Sequence, residues 1–370
     1  MPRARAAVHI PGSLVPVALG FGAVTLTILG WAAFGARPTS NGVDAVLPAL
    51  PQAPIRSVAY WVPENGRDVI YVRQADTGRT SFLTSFQPLH PAAGLHIRGA
   101  ASPAADRLAI LSLENPASAE AQLTFVDVVT GDKRGADGAY HHLSELAWSR
   151  DGLKVAVVGA GRSTVFEVDS TTLASSLVAN FPGARQVAPV GYSLTGKRLF
   201  VVVVDQSGSS LWSVQDGKTA RVASLGAGLT VSWTLSGDGS ALAYIDVRGV
   251  GEQRYAGRTM LIATGEIMSA GPEGDQFGAA WRPGWELADF GGPGGSFELM
   301  GDPDSGPSYV VPLQWSPDGS WLVASIFSAG STGGTPATPT LELAKPGELV
   351  RVALSDDAPA TLLGWVQDFE

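Results

Sequence analysis

Histidine is the side chain best suited to moving protons near neutrality, and it occurs five times in this 370-residue chain, at His9, His90, His96, His141 and His142. His141 and His142 are adjacent at the start of a segment that leads to Trp148. Adjacent residues of a strand face opposite sides, so the two do not share a metal there. His90 and His96 stand six apart with no further ligand in spacing. Asp302-Pro303-Asp304-Ser305-Gly306 opens like a calcium loop but lacks the third spaced ligand and the distant bidentate Glu. It reads as an acidic turn, as does Asp356-Asp357. The chain has no cysteine, which removes thiolate nucleophiles, disulfides, zinc ribbons and iron–sulfur clusters. Gly291–Gly295 (GGPGG) has no following Lys or helix to cradle a phosphate. No G-x-S-x-G, G-x-x-x-x-G-K-[ST] or H-E-x-x-H is present. The sequence therefore assigns no catalytic residue, no cofactor and no metal ligand.

Binding has better candidates. Gly249–Arg258 (GVGEQRYAGR) reads as a hairpin that sets Tyr255 between Arg254 and Arg258. Two further stretches, Gly291–Pro307 and Ser328–Pro339, are long and rich in small residues. The expectation is that all three emerge on one face, since variable loops carry binding. With 34 acidic against 25 basic residues and a net charge of −9, the chain has no basic stripe, and nucleic acid is excluded as a partner.

One unit recurs from Ser57 onward and must position these groups. An aromatic residue closes a short strand, a Ser/Thr/Asp/Gly turn follows, and a β-branched strand begins. The leading aromatics are Trp61, Trp148, Tyr192, Trp233, Trp281 and Trp315, and the turn glycines are Gly66, Gly152, Gly196, Gly239 and Gly319. With a degenerate copy at Ala101, the intervals are 40, 47, 44, 41, 48 and 34 residues. Units of about 40–45 residues holding four short strands mark propeller blades. Asp-Gly and Asn-Gly supply the positive φ of tight hairpins, and runs such as Leu199–Asp205 (LFVVVVD) are too short and too apolar to be anything but buried strands. Gly and Pro together make up 70 residues, which argues against a helical protein. The fold class is all-β, a β-propeller of seven blades, with six as the alternative because of the 34-residue interval. Leu362–Phe369 either forms the last outer strand or closes the ring near Val58. The recurring aromatics read as packing between blades, against a carbohydrate-stacking row as the other reading.

Trp315-Ser-Pro-Asp-Gly319, followed by an apolar strand, and its variant Trp148-Ser-Arg-Asp-Gly152 resemble the TolB-type β-propeller repeat, which is WD-repeat-like. The resemblance covers about 300 residues. It implies an extracytoplasmic scaffold for protein contacts in the cell envelope. The chain carries no separate N-terminal α/β domain of the kind TolB has, so a translocation role is not implied.

Leu14–Phe34 is a run of 21 residues without a charge, about 31 Å as a helix and enough to cross a bilayer. Arg3 and Arg5 precede it, and the positive-inside rule puts them in the cytoplasm. The expected organisation is a short cytoplasmic tail (1–12), a single-pass transmembrane helix acting as signal anchor (13–35), a Pro-rich stalk (36–56) and an extracytoplasmic propeller (57–370). A cleaved signal peptide is the rival reading of the same segment. The function expected is a non-catalytic protein-binding scaffold on the cell membrane. The alternatives are a propeller-type hydrolase or lactonase-like enzyme and a sensory ectodomain of a membrane signalling complex. A protease added outside intact cells is expected to remove a C-terminal tag, and a protected tag contradicts this orientation.

Overall fold

The turn chemistry written in the sequence is the turn chemistry formed. In the Trp148, Trp233 and Trp315 units a serine and an aspartate lock the same reverse turn. Ser149 Oγ donates to Asp151 Oδ1 at 2.6 Å, Ser236 to Asp238 at 2.7 Å and Ser316 to Asp318 at 2.6 Å. Each serine oxygen also accepts the N–H that starts the next strand, from Lys154, Ala241 and Trp321. The glycine that follows each aspartate has φ near +70° (Gly152, Gly239, Gly319), a region where a Cβ is strained. Burial alone would raise the Asp318 carboxyl, but hydrogen bonds from Ser316 and Ser320 outweigh it and hold the group below its ordinary value.

The computed structural model describes residues 55–88, 95–115, 117, 119–248, 254–269, 274–293, 309–327, 339–348, 350–355 and 359–368, all within one compact unit, Leu47–Glu370. Blade 1 contains β1 (Ser57–Glu64), β2 (Arg67–Gln74) and β3 (Thr80–Phe86). Blade 2 contains β4 (Arg98–Ala101), β5 (Arg107–Asn115), β6 (Glu120–Asp127) and β7 (Lys133–Gly135), with β8 (Tyr140–His141) paired to β6 as a fifth strand. Blade 3 is β9 (Ala147–Trp148), β10 (Lys154–Val158), β11 (Thr164–Asp169) and β12 (Ser175–Asn180). Blade 4 is β13 (Gln186–Tyr192), β14 (Leu199–Asp205), β15 (Gly208–Gln215) and β16 (Lys218–Gly226). Blade 5 is β17 (Thr230–Leu235), β18 (Ala241–Val247), β19 (Tyr255–Leu261) and β20 (Ile267–Ser269). A two-stranded sheet follows, β21 (Gly278–Trp281) and β22 (Ala288–Gly291). Blade 6 is β23 (Tyr309–Trp315), β24 (Leu322–Phe327), β25 (Thr340–Lys345) and β26 (Val350–Ala353). The last strand, β27 (Thr361–Val366), returns to blade 1 and lies innermost in the order β27-β1-β2-β3.

The propeller therefore has six full blades, which corrects the expected seven. The Trp281 unit yields only a two-stranded sheet among the described residues. Its 34-residue interval is too short for four strands, and the Gly-Gly-Pro that follows Phe290 stops β22, since Gly and Pro weaken strand interiors. Trp61 was expected to close its strand, but β1 runs three residues further, to Glu64. Of the two places expected for Leu362–Phe369, the structure takes ring closure: β27 pairs with β1 at Val58, and Trp365 lies on the innermost strand. The anchor (13–35), nearly all of the stalk (36–56), His9 and His90 lie outside the described residues. Among those described, no helix is long and apolar enough to cross a membrane.

The core is divided between neighbouring sheets. Ile70 and Val72 of blade 1 pack with Leu108 and Val126 of blade 2. Ala156 and Val158 of blade 3 meet Val201 and Val203 of blade 4. At the closure, Val323 and Leu343 of blade 6 meet Val58, Tyr60 and Trp365. Three tryptophans bind the inner strands in the same way: Trp148, Trp281 and Trp365 each donate Nε1–H to an inner-strand carbonyl of the preceding sheet or blade, those of Ala100, Thr234 and Gln314, at 3.0, 3.0 and 3.4 Å. Trp315 instead donates to Asp289 Oδ2 at 3.0 Å.

Replacing Trp365 by Ala removes a side chain that is 3% exposed and is expected to destabilise the protein by about 3–5 kcal/mol. Trp285→Ala, at a position 59% exposed, is expected to cost under about 1 kcal/mol. Urea unfolding measures both, and equal costs contradict the closure.

Candidate functional site

Strand direction sorts every connection onto one of two faces. Each innermost strand runs from what is here termed the loop face to the turn face, the second strand returns, and the third leaves the loop face again. The Ser-x-Asp-Gly turns lie on the turn face. Ser57, the start of β1, lies there too, beside Asp368, which accepts from Ser57 Oγ at 2.7 Å. The strands joined by residues 249–253, 294–308 and 328–338 are β18–β19, β22–β23 and β24–β25, and all of these junctions fall on the loop face. The three connections are outside the described residues, but they start and end on a common face.

Between those junctions runs an aromatic ladder. The ring centroids of Tyr255 and Phe277 are 5.2 Å apart, those of Phe277 and Tyr309 5.6 Å, and those of Tyr309 and Phe327 4.7 Å with the last pair stacked at 12°. All four are partly exposed. They start β19, precede β21, start β23 and end β24, so one row spans three sheets. Asp275 fixes its edge by accepting the backbone N–H groups of Arg254 and Tyr255 at 2.7 and 3.0 Å. Burial raises the Tyr309 hydroxyl above its ordinary value.

A polar cluster occupies the same face at blades 1 to 3. Asp68, fully buried, accepts from the Ile97 N–H at 2.8 Å and pairs with His96 Nδ1 at 2.7 Å. The His96 ring lies 5.0 Å from Trp61. His142 is 3% exposed and lies beside the His96 backbone. The Nδ1 of His142, the Nε2 of His141 and the Nε1 of Trp61 are buried and have no partner among the described residues. Burial, then the charges of Arg98 and His141, hold the His142 ring below its ordinary value, against a smaller opposing effect of the His96 backbone and Asp68. No group of three ligating side chains among the described residues has metal-binding geometry.

The structure brings some predicted residues together and separates others. Arg254 and Tyr255 sit at the ladder edge. Arg258 lies three residues further along β19, opposite Tyr244, and so on the other side of the sheet from Tyr255. Tyr192 donates to Glu167 at 2.9 Å, and burial pushes its hydroxyl far up. Trp233 donates to Thr230 in its own strand at 2.8 Å. Gly66 and Gly196, like the other turn glycines, have positive φ. Asp302, Asp304, Asp356 and Asp357 are outside the described residues. The convergence of His96 with His141 and His142, and the ladder itself, escaped the sequence reading. The signal was present: His96, His142, Phe277 and Tyr309 all fall within the six residues before a leading position of the repeat.

No protein-family model matches the chain, and no curated protein matches it. Solved structures do. TolB from Acinetobacter baumannii superposes with a TM-score of 0.53 at 14% identity, covering 85% of this chain and 68% of that one. The β-propeller domain of the Trilobed protease from Pyrococcus furiosus, described as having an open velcro topology, gives 0.54 at 12% identity over 82% and 96%. Oligogalacturonate lyase from Vibrio parahaemolyticus gives 0.51 at 10% identity over 80% and 84%. At these identities the likeness is one of fold. The solved neighbours include a TolB-type propeller and an enzyme alike.

His142 titrates lower in the folded chain than in the unfolded one, so the unfolded chain binds the extra proton first. The stability this contributes is present above the unfolded value of about 6.5 and is lost as pH falls below it toward the lowered folded value. Urea midpoints are expected to drop over that window in the wild type and to drop less in His142→Gln. An unchanged slope in the variant contradicts the burial of a neutral ring.

Proposed function

We propose that the chain is a membrane-anchored, extracytoplasmic β-propeller that binds a protein partner of the cell envelope through its loop face, without catalysis. The observation that carries this reading is the aromatic ladder of Tyr255, Phe277, Tyr309 and Phe327, set among the strand ends that flank residues 249–253, 294–308 and 328–338. Aromatic side chains with one face open are enriched in the energetic centres of protein interfaces, and backbone-anchored rows lose little entropy on binding. The propeller likeness to TolB supports the frame, and the Leu14–Phe34 run supports the anchor.

A catalytic reading has one observation in its favour. Asp68 orients His96 in the manner of a general base held by a carboxylate. It lacks an adjacent nucleophile or metal cluster among the described residues, and the scaffold reading stands ahead of it.

Cross-linking in intact membranes, with the wild type and a Tyr255→Ala/Tyr309→Ala variant side by side, tests the scaffold. The wild type is expected to capture a defined partner that the variant loses by about tenfold or more, the cost of two interface aromatics. Equal capture by both contradicts the ladder as the binding surface. Turnover that depends on His96 would favour the enzyme.

A further inference from the structure

Where blades 2 and 3 meet on the loop face, positive charge converges on a histidine whose Nε2 has no partner among the described residues. β8 sets His141 opposite Glu120 of β6. An isolated bridge between Tyr140 and Gly159, and the Ala160 N–H donating to the Ala139 carbonyl at 3.1 Å, lay the β10–β11 turn alongside. That turn carries Arg162, and β4 carries Arg98. After burial, these two guanidinium groups are the charges that hold the His141 ring below its ordinary value. The Nε2 of His141 is buried without a partner among the described residues, a state that native structures seldom leave uncompensated. Arg98 already faces one carboxylate: Glu145 Oε1 lies 3.5 Å away, with its side chain 52% exposed. So loose a pair is readily exchanged.

We propose that Arg98 and Arg162, exposed beside His141, form a carboxylate-binding site that takes an acidic side chain of the protein partner, in competition with Glu145. This rests on the reading of the loop face as a protein-binding surface. The chemistry follows from the donor set. Guanidinium groups match carboxylate oxygens in pairs, and a bound anion offsets the positive charge that the two groups place on the His141 ring. The groups facing His141 are Arg98 on β4, Arg162 on the β10–β11 turn, Glu120 on β6, Glu145 before β9 and His142 beside it, with Asp68 and His96 behind His142. Three carboxylates in that set repel a phosphate dianion more than a single carboxylate, so the site favours the latter. A bound anion also favours the protonated ring, so binding tightens as pH falls below 7. On a chain of net charge −9 such a spot supplies register and specificity more than bulk attraction.

Histidine NMR on the full chain tests the site, with acetate, inorganic phosphate and a glutamate-rich peptide as probes. Acetate and the peptide are expected to raise the titration midpoint of His141 by about one unit, a tenfold preference for the protonated ring. Phosphate is expected to do less. Arg98→Gln/Arg162→Gln is expected to weaken peptide binding by about tenfold or more, and Glu145→Gln to tighten it. A His141 resonance indifferent to all three probes overturns the site, as does peptide binding unchanged in the double variant. A stronger response to phosphate than to acetate overturns the carboxylate assignment. If acetate binds here while cross-linking captures no protein, the site stands and only the protein-partner reading falls.

Discussion

The return of β27 to β1 is the contact on which the rest of the architecture depends. It pairs Ser57 with Val366 and Trp61 with Thr361, residues some three hundred positions apart, and thereby makes the last segment of the chain the innermost strand of the first blade. Without it, blade 1 would present the edge of β1 to water, and an exposed strand edge is a template for aggregation. With it, Trp365 makes toward blade 6 the same Nε1–H···O=C bond that Trp148 makes toward blade 2. The closing blade is thus held by the same packing rule as the others. Disulfides are not available to a chain with no cysteine, so strand pairing and the apolar seams between sheets carry the load. The long sequence separation also makes closure entropically expensive in folding, which is consistent with concentrating Trp321, Val323, Tyr60 and Trp365 at that one seam.

Closure also fixes the polarity of the molecule. Because β1 is a second strand, it starts on the turn face, while the strand ends that flank residues 249–253, 294–308 and 328–338 lie on the loop face. The turn face is repetitive and tightly bonded, built from serine–aspartate turns whose groups are satisfied within each turn. The loop face carries the partly exposed ladder at one side and the buried, incompletely satisfied histidines at the other. That asymmetry suits the proposed scaffold, which has one recognition surface.

Much of the fold was legible because the repeat is written in local chemistry. Trp148-Ser-Arg-Asp-Gly152 and Trp315-Ser-Pro-Asp-Gly319 each specify a strand end, a turn and a strand start within a few residues, and no long-range information is needed. The blade count was less legible, since the two-stranded sheet bears the leading tryptophan of a full blade, although its turn, Arg282-Pro283-Gly284, lacks the serine–aspartate lock of the others. Ring closure was legible only as one of two alternatives, because the inner strand of the first blade, β27, comes from the other end of the chain. The site was the least legible part. Tyr255 was identified, but Phe277, Tyr309 and Phe327 come from different sheets and meet only through the ring. Likewise His96 and His142 belong to successive blades and become neighbours because the blades stack. Arg258 was grouped with Tyr255 by proximity in sequence, and the pleat of β19 sends it to the other side.

The central claim is that one face of a closed ring does the binding. Hydrogen–deuterium exchange on the full chain, with and without its cross-linking-defined partner, tests it directly. The account predicts slowed exchange confined to the segments that start β19, precede β21, start β23 and end β24, together with those around His141 and Arg162, while the Ser-x-Asp-Gly turns remain unchanged. Slowed exchange centred on those turns, or spread evenly around the ring, would contradict it.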